Sequence, residues 1–103
     1  MFEVNDVIVS VFGYNCRLVN FYRVIGKTKS GKSVKIQQLK ENIVSHDGYG
    51  QAGFVRPSDE LTDEKPMTVR TQVNIFGDDY VKINNHKYGY KWDGSNVAFD
   101  TYD

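Results

Sequence analysis

The sequence predicts an all-β chain, folded over residues 1–103 as a single small barrel domain of five to seven short antiparallel strands with an appended hairpin. Three observations predict it. Apolar and polar residues alternate with a period of two in several short runs. Turn residues punctuate those runs at close intervals. No stretch of ten residues carries the 3.6-residue periodicity of an amphipathic helix.

The elements follow in order. Val7, Ile8, Val9, Val11 and Phe12 form a β-branched and aromatic run, expected to be a strand buried on most of both faces. Gly13 ends it, and residues 13–20 read as a loop. Phe21-Tyr22-Arg23-Val24-Ile25 opens a second strand. Lys29-Ser30-Gly31-Lys32 is a turn, with Gly31 free to take positive φ. Val34 and Ile36 alternate with Lys35 and Gln37 in a third strand. Leu39 falls out of phase with that pair, which marks a bulge or the strand's end.

Gly48, Gly50 and Gly53 make residues 45–53 a mobile glycine loop. Phe54-Val55 is a short strand expected to stop at Pro57. Residues 57–66 read as a polar acidic loop, or at most one helical turn capped by Ser58. Met67, Val69, Thr71, Val73 and Ile75 then alternate with Thr68, Arg70, Gln72 and Asn74, the cleanest period-two segment in the chain. Gly77-Asp78-Asp79 turns the chain, and Val81 and Ile83 alternate with Lys82 in the next strand. After the Asn84-Asn85-His86 turn, Tyr88, Tyr90 and Trp92 share one strand face. They could form an exposed platform, but their alternation with Gly89, Lys91 and Asp93 looks more like the buried face of a strand. Asp93-Gly94 is a turn signal, and Val97 and Phe99 start a final short strand.

Composition fits this reading. The chain is 40% apolar and 14% aromatic, enough for one core without cross-links. Cys16 is the only cysteine, so no internal disulfide forms. Met1 to Asp6 lacks the basic-then-apolar order of a signal peptide, and no apolar run approaches the ~20 residues that cross a bilayer. A cytoplasmic protein without a membrane partner is expected.

The formal net charge is zero, yet the charge is segregated. Residues 17–40 carry Arg17, Arg23, Lys27, Lys29, Lys32, Lys35 and Lys40 and no acid. Residues 41–66 carry six acids against Arg56 and Lys65. Strand parity places Arg23 and Lys27 on one side of the second strand, Lys29 and Lys32 beside the turn, and Lys35 opposite Val34 and Ile36. Such a strip can track phosphates while nearby aromatics stack on bases. The candidate nucleic-acid contacts are therefore Arg23, Lys27, Lys29, Lys32 and Lys35, with Tyr14, Tyr22 and Tyr49 as stacking residues. The plainer reading is that these lysines solubilise the hairpin and protect a sheet edge.

The other candidates carry less chemistry. Gly48-Tyr49-Gly50-Gln51-Ala52-Gly53 matches GxGxxG, but Pro57 forbids the helix that a dinucleotide site needs, and no βαβ pattern surrounds it. Cys16, His46 and Asp47 resemble a nucleophile, base and orienting group in composition only. One cysteine and two distant histidines, His46 and His86, fall short of a zinc ligand set. The acids at 59–64 read as a solvated charge run. The expectation is a binding module, not an enzyme, with no cofactor and no metal.

Two motif blocks carry a resemblance. Phe2-x-Val4-x-Asp6-x-Ile8-Val9-Ser10 with Gly13-Tyr14 and Val19-Asn20-Phe21-Tyr22-x-Val24 resembles the opening of a family of small phage, prophage and plasmid proteins. Tyr80-Val81-Lys82-Ile83 followed by Tyr88-Gly89-Tyr90-x-Trp92-Asp93-Gly94 resembles the same family's ending. The resemblance implies a mobile-element accessory protein acting in the cytoplasm of a bacterial host. Phe2-x-Val4-Asn5-Asp6-x-Ile8 is also similar to the lead-in of many SH3-like barrels, with Asn5 where glycine is usual. Both residue types tolerate the left-handed region, so the turn is expected to survive the exchange. Nucleic-acid binding through the basic hairpin is the first functional expectation. The alternative is a protein partner, as in an anti-CRISPR-like inhibitor of a host defence or replication protein.

Overall fold

The computed structural model describes residues 1–49 and 51–101. It contains eight strands: β1 (Val7–Phe12), β2 (Leu18–Lys27), β3 (Ser33–His46), β4 (Ala52–Leu61), β5 (Met67–Val73), β6 (Asp79–Asn84), β7 (Lys87–Lys91) and β8 (Val97–Asp100). All pairings are antiparallel. The order β2-β1-β7-β6-β5-β3, with β3 pairing back onto β2, closes a six-stranded barrel of the small SH3-like kind. β4 and β8 extend β3 outside the barrel. Among the described residues there is no helix, and so none long and apolar enough to cross a membrane.

The barrel's floor is set by the N-terminal lead-in. Asn5 takes φ 77°, the left-handed conformation expected of it. That turn lets Asn5 N–H donate to the Val24 carbonyl (2.8 Å) and Val24 N–H donate to the Asp6 carbonyl (2.9 Å). It also tucks Phe2 into the barrel, where it is 1% exposed. Ile8, Val24, Ile36 and Val81 join it there, each fully buried. Burial of such side chains contributes ~1.5–3 kcal/mol apiece.

A second core lies outside the barrel wall. Phe21 and Leu39, both buried, pack there with Val55, Trp92 and Val97 under the sheet formed by β4 and β8. Two adjacent residues of β2, Phe21 and Tyr22, are therefore both buried, one on each face of the strand. β1 shows the same double burial expected from its unbroken apolar run, with Ile8 inside and Val7 and Val9 against the second core.

The second core explains where the sequence reading stops short. Leu39 is out of phase with Val34 and Ile36 because it turns to the other core, and β3 runs on for 14 residues instead of ending. A bulge does begin at Leu39, between Leu39 and Glu41, and a second lies between Ile43 and Ser45. The segment 45–53 is thus mostly hairpin: His46 pairs with Gly53, and β4 starts at Ala52. Gly50 lies outside the described residues. β4 passes through Pro57, which pairs with Glu41 and needs no N–H because β8 accompanies β4 only from Ala52 to Val55. Residues 57–61 are strand, so Ser58 caps no helix; its Oγ accepts from Glu60 N–H at 3.1 Å. β2 starts at Leu18, three residues before the expected point, held by the Arg17 bridge to Asp100.

Candidate nucleic-acid interface

The candidate face is built around β7, Lys87-Tyr88-Gly89-Tyr90-Lys91. Gly89 is buried and faces the barrel, where a β-carbon would lie 3.1 Å from Val81 and closer still to Ile8. Tyr88 and Tyr90 therefore emerge on the outer face, 42% and 44% exposed. This corrects the expectation of a buried aromatic face. The three aromatics do share a side, but only Trp92 is covered, edge-on to Phe21 at 6.2 Å with Arg56 5.1 Å over its ring.

β6 completes the platform. Its register pairs Tyr80 with Tyr90 and Lys82 with Tyr88. The Tyr80 ring lies 6.0 Å from Tyr88 at 66° and 5.8 Å from Tyr90 at 30°. Both separations fall in the range favoured by aromatic pairs. Tyr80 is fixed from the other side, its hydroxyl donating to Gln72 Oε1 at 3.0 Å.

Cations continue the face away from the tyrosines. Thr71 pairs with Val81, so the neighbouring Arg70 and Lys82 flank that pair on the exposed side. Arg70 pairs with Ser33 at the start of β3. Thr71 N–H and Oγ1 both donate to the Lys32 carbonyl, at 2.9 and 3.1 Å. Arg70, Lys82 and Tyr88 thus follow one another across β5, β6 and β7, about 10 Å at ~4.8 Å per strand, and Lys32 stands in the turn just before β3. Among the described residues no carboxylate lies within ion-pair reach of Lys29, Lys32, Lys35, Arg70 or Lys82.

The five hairpin cations do not form one strip. Lys29 and Lys32 are exposed at the turn, where Gly31 takes φ 72°. Lys35 is on the outer face, paired with Thr68 of β5. A register shift between Val24 and Gly26 separates the other two. Arg23 lies beside the acidic end of β4, its guanidinium 3.8 Å from Asp59. Lys27 turns to the barrel floor, 3.3 Å from Glu3.

The three expected stacking tyrosines also part company. Tyr22 is 3% exposed in the barrel core, so it is corrected from a contact residue to a core residue. Its ring is already covered, with the Lys87 ammonium 5.3 Å above it and 4.3 Å above Phe12. Tyr49 is 84% exposed on the β3–β4 turn. Tyr14, 89% exposed, walls a cleft of about 690 Å3 together with Tyr88 and His86, so it borders the platform. Sequence reasoning misses Tyr80, Arg70 and Lys82, and it weighs Tyr88 and Tyr90 as a platform but favours the interior for them. The signal that could have found the tyrosines is Gly89, because a glycine between two tyrosines on a strand marks the side with no room.

Cys16, His46 and His86 fall on three separate elements. Among the described residues no group of three or more His, Cys, Asp or Glu could hold a metal ion. No family model, curated protein or solved structure matches this chain.

Proposed function

We propose that this chain is a non-catalytic module that binds single-stranded nucleic acid across the outer face of β5, β6 and β7. One observation carries the reading: Tyr80, Tyr88 and Tyr90 cluster on an exposed sheet face, and Lys82 and Arg70, with no carboxylate in ion-pair reach among the described residues, lead away from it toward the Lys32 turn. Exposed rings accept unstacked bases, each worth ~1–3 kcal/mol, and a row of cations follows the phosphates. A duplex hides its base faces, so the platform favours single strands. Lys29 and Lys35 extend the cationic row, and Arg23 and Lys27 join it only on leaving their carboxylates. Together with the resemblance noted above, this suits an accessory protein of a phage or other mobile element working in its host's cytoplasm.

Fluorescence anisotropy with labelled oligo-dT, oligo-U and a duplex at low salt tests the reading. Single strands are expected to bind, with affinity falling steeply as salt rises. No anisotropy change on any of the three at the highest attainable protein concentration would remove it.

A second reading, a host defence or replication protein as partner, rests on the β5–β6 turn. Ile75 and Phe76 are 94% and 81% exposed there. Asn74 Oδ1 holds the turn, accepting from the N–H groups of Phe76 and Asp78, each at 2.9 Å. Two large apolar side chains on a held turn suit an anchor in a protein pocket, and the adjacent Asp78 repels phosphate. Loss of a captured protein in Phe76→Ser, with oligonucleotide binding intact, would favour it.

A further inference from the structure

We propose that the groove between the barrel wall and the sheet extension is a second binding site, for a small organic cation: an ammonium or guanidinium on an apolar stem. The proposal does not rest on the nucleic-acid reading, since no residue of the tyrosine and cation face lines this groove.

Three strands make the groove. The outer half of β3 supplies Glu41 and Ile43, β4 supplies Val55, and β8 supplies Phe99; Leu18 and Phe12 stand opposite on the barrel side. The space is about 340 Å3, at the small end of the ~300–1,000 Å3 typical of ligand sites. Its walls are mostly aliphatic and aromatic, which suits an apolar stem.

Glu41 selects the head group. It is an exposed residue that lines the groove, and partial desolvation by burial pushes its pKa above the ordinary value. Among the described residues no cation or hydrogen-bond donor reaches that carboxylate. Its acidic neighbours differ: Glu60 has Lys40 at 3.4 Å and Asp59 has Arg23 at 3.8 Å. A partly desolvated carboxylate without a partner is unfavourable, and a cation delivered on an apolar stem removes that penalty while burying the stem. A bare divalent ion is disfavoured, because it requires several oxygen ligands and Glu41 supplies one carboxylate.

A heteronuclear NMR titration at neutral pH tests this with n-hexylammonium, n-hexanol and hexanoate. Hexylammonium is expected to give saturable shifts at the amides of Ile43, Val55 and Phe99, with a dissociation constant on the order of millimolar. Hexanol is expected to bind about tenfold or more weakly, because it lacks the charge-assisted bond, and hexanoate not at all. Glu41→Gln should weaken hexylammonium by a similar factor. Ile43→Lys, at a half-exposed position that tolerates the change, supplies a built-in cation and should abolish the shifts. Hexylammonium binding should also fade as pH falls and Glu41 takes up its proton. No saturable shift with hexylammonium, equal binding of hexanol, or undiminished binding to Glu41→Gln would each overturn the proposal.

Discussion

Gly89 and Ile8 approach so closely across the β7–β1 pairing that a β-carbon on Gly89 would lie 2.5 Å from the Ile8 Cγ2 methyl. The barrel interior has no room for a side chain there, so the strand turns its two tyrosines outward. Alanine in place of glycine ordinarily helps a strand by ~0.5–1 kcal/mol. Here overpacking reverses the sign: Gly89→Ala is expected to destabilise by ~1–3 kcal/mol in urea unfolding. Adding Ile8→Val should recover part of that loss. A Gly89→Ala protein as stable as the parent would mean that Tyr88 and Tyr90 are not held outward by this contact.

Tyr88 and Tyr90 are half-exposed, so removing either ring should cost the fold about the aromatic contact with Tyr80, ~0.5–1.5 kcal/mol. Binding should respond differently. If each ring stacks a base, Tyr88→Ala and Tyr90→Ala each weaken oligo-dT binding by ~1–3 kcal/mol, roughly five- to 150-fold. Anisotropy titrations beside thermal melts separate the two effects. Unchanged affinity in the double variant would move the interface elsewhere.

Salt dependence distinguishes the cations. Each phosphate contact on a single strand contributes about −0.7 to the slope of log affinity against log salt. Lys82→Gln, Arg70→Gln and Lys32→Gln should each flatten that slope by about this amount, since among the described residues none has a carboxylate to leave. Arg23→Gln and Lys27→Gln should flatten it less. Their partners Asp59 and Glu3 compete with phosphate, although exposed pairs of this kind are worth only ~0–1 kcal/mol. Equal slope changes at Lys27 and Lys32 would show that the hairpin acts as one strip after all.

The sequence foretold the barrel because each strand of its wall states its period locally. Val34 and Ile36 against Lys35, and Val81 against Lys82, need no partner to be interpreted. Asn5 likewise announced its left-handed turn. The extension is legible only as an appended hairpin and two short strands; its length and seat are not, because they answer to a second core assembled from distant segments: Leu39, Val55 and Val97 make sense only once they meet. Pro57 argued for a strand end, and only the short reach of β8 shows why it is tolerated. The candidate site was half legible. Lys32 and Lys35 stood out as charges, but Arg70 and Lys82 look solitary until the β3–β5–β6 register brings them alongside. The tyrosines were read on the wrong side because aromatic rings usually outrank glycine for the interior, and here the interior was already full.

Glu41 gives the fold an unusual acid dependence. Its carboxyl is raised by burial, so the native state holds the Glu41 proton more tightly than the unfolded chain does. Between the unfolded and native pKa values the native state binds more protons, and stability falls as pH rises through that window. This is opposite in sign to a salt-bridged carboxylate, whose contribution is lost on acidification. Glu41→Gln removes the titration while keeping the shape. Above the window the glutamine variant should be the more stable of the two, and below the ordinary carboxylate range the difference should vanish. Denaturant midpoints for both proteins across mildly acidic to neutral pH measure this directly. A variant less stable than the parent at neutral pH would mean that the ionised carboxylate has a favourable partner in the native state, and the groove's call for an outside cation would fall with it.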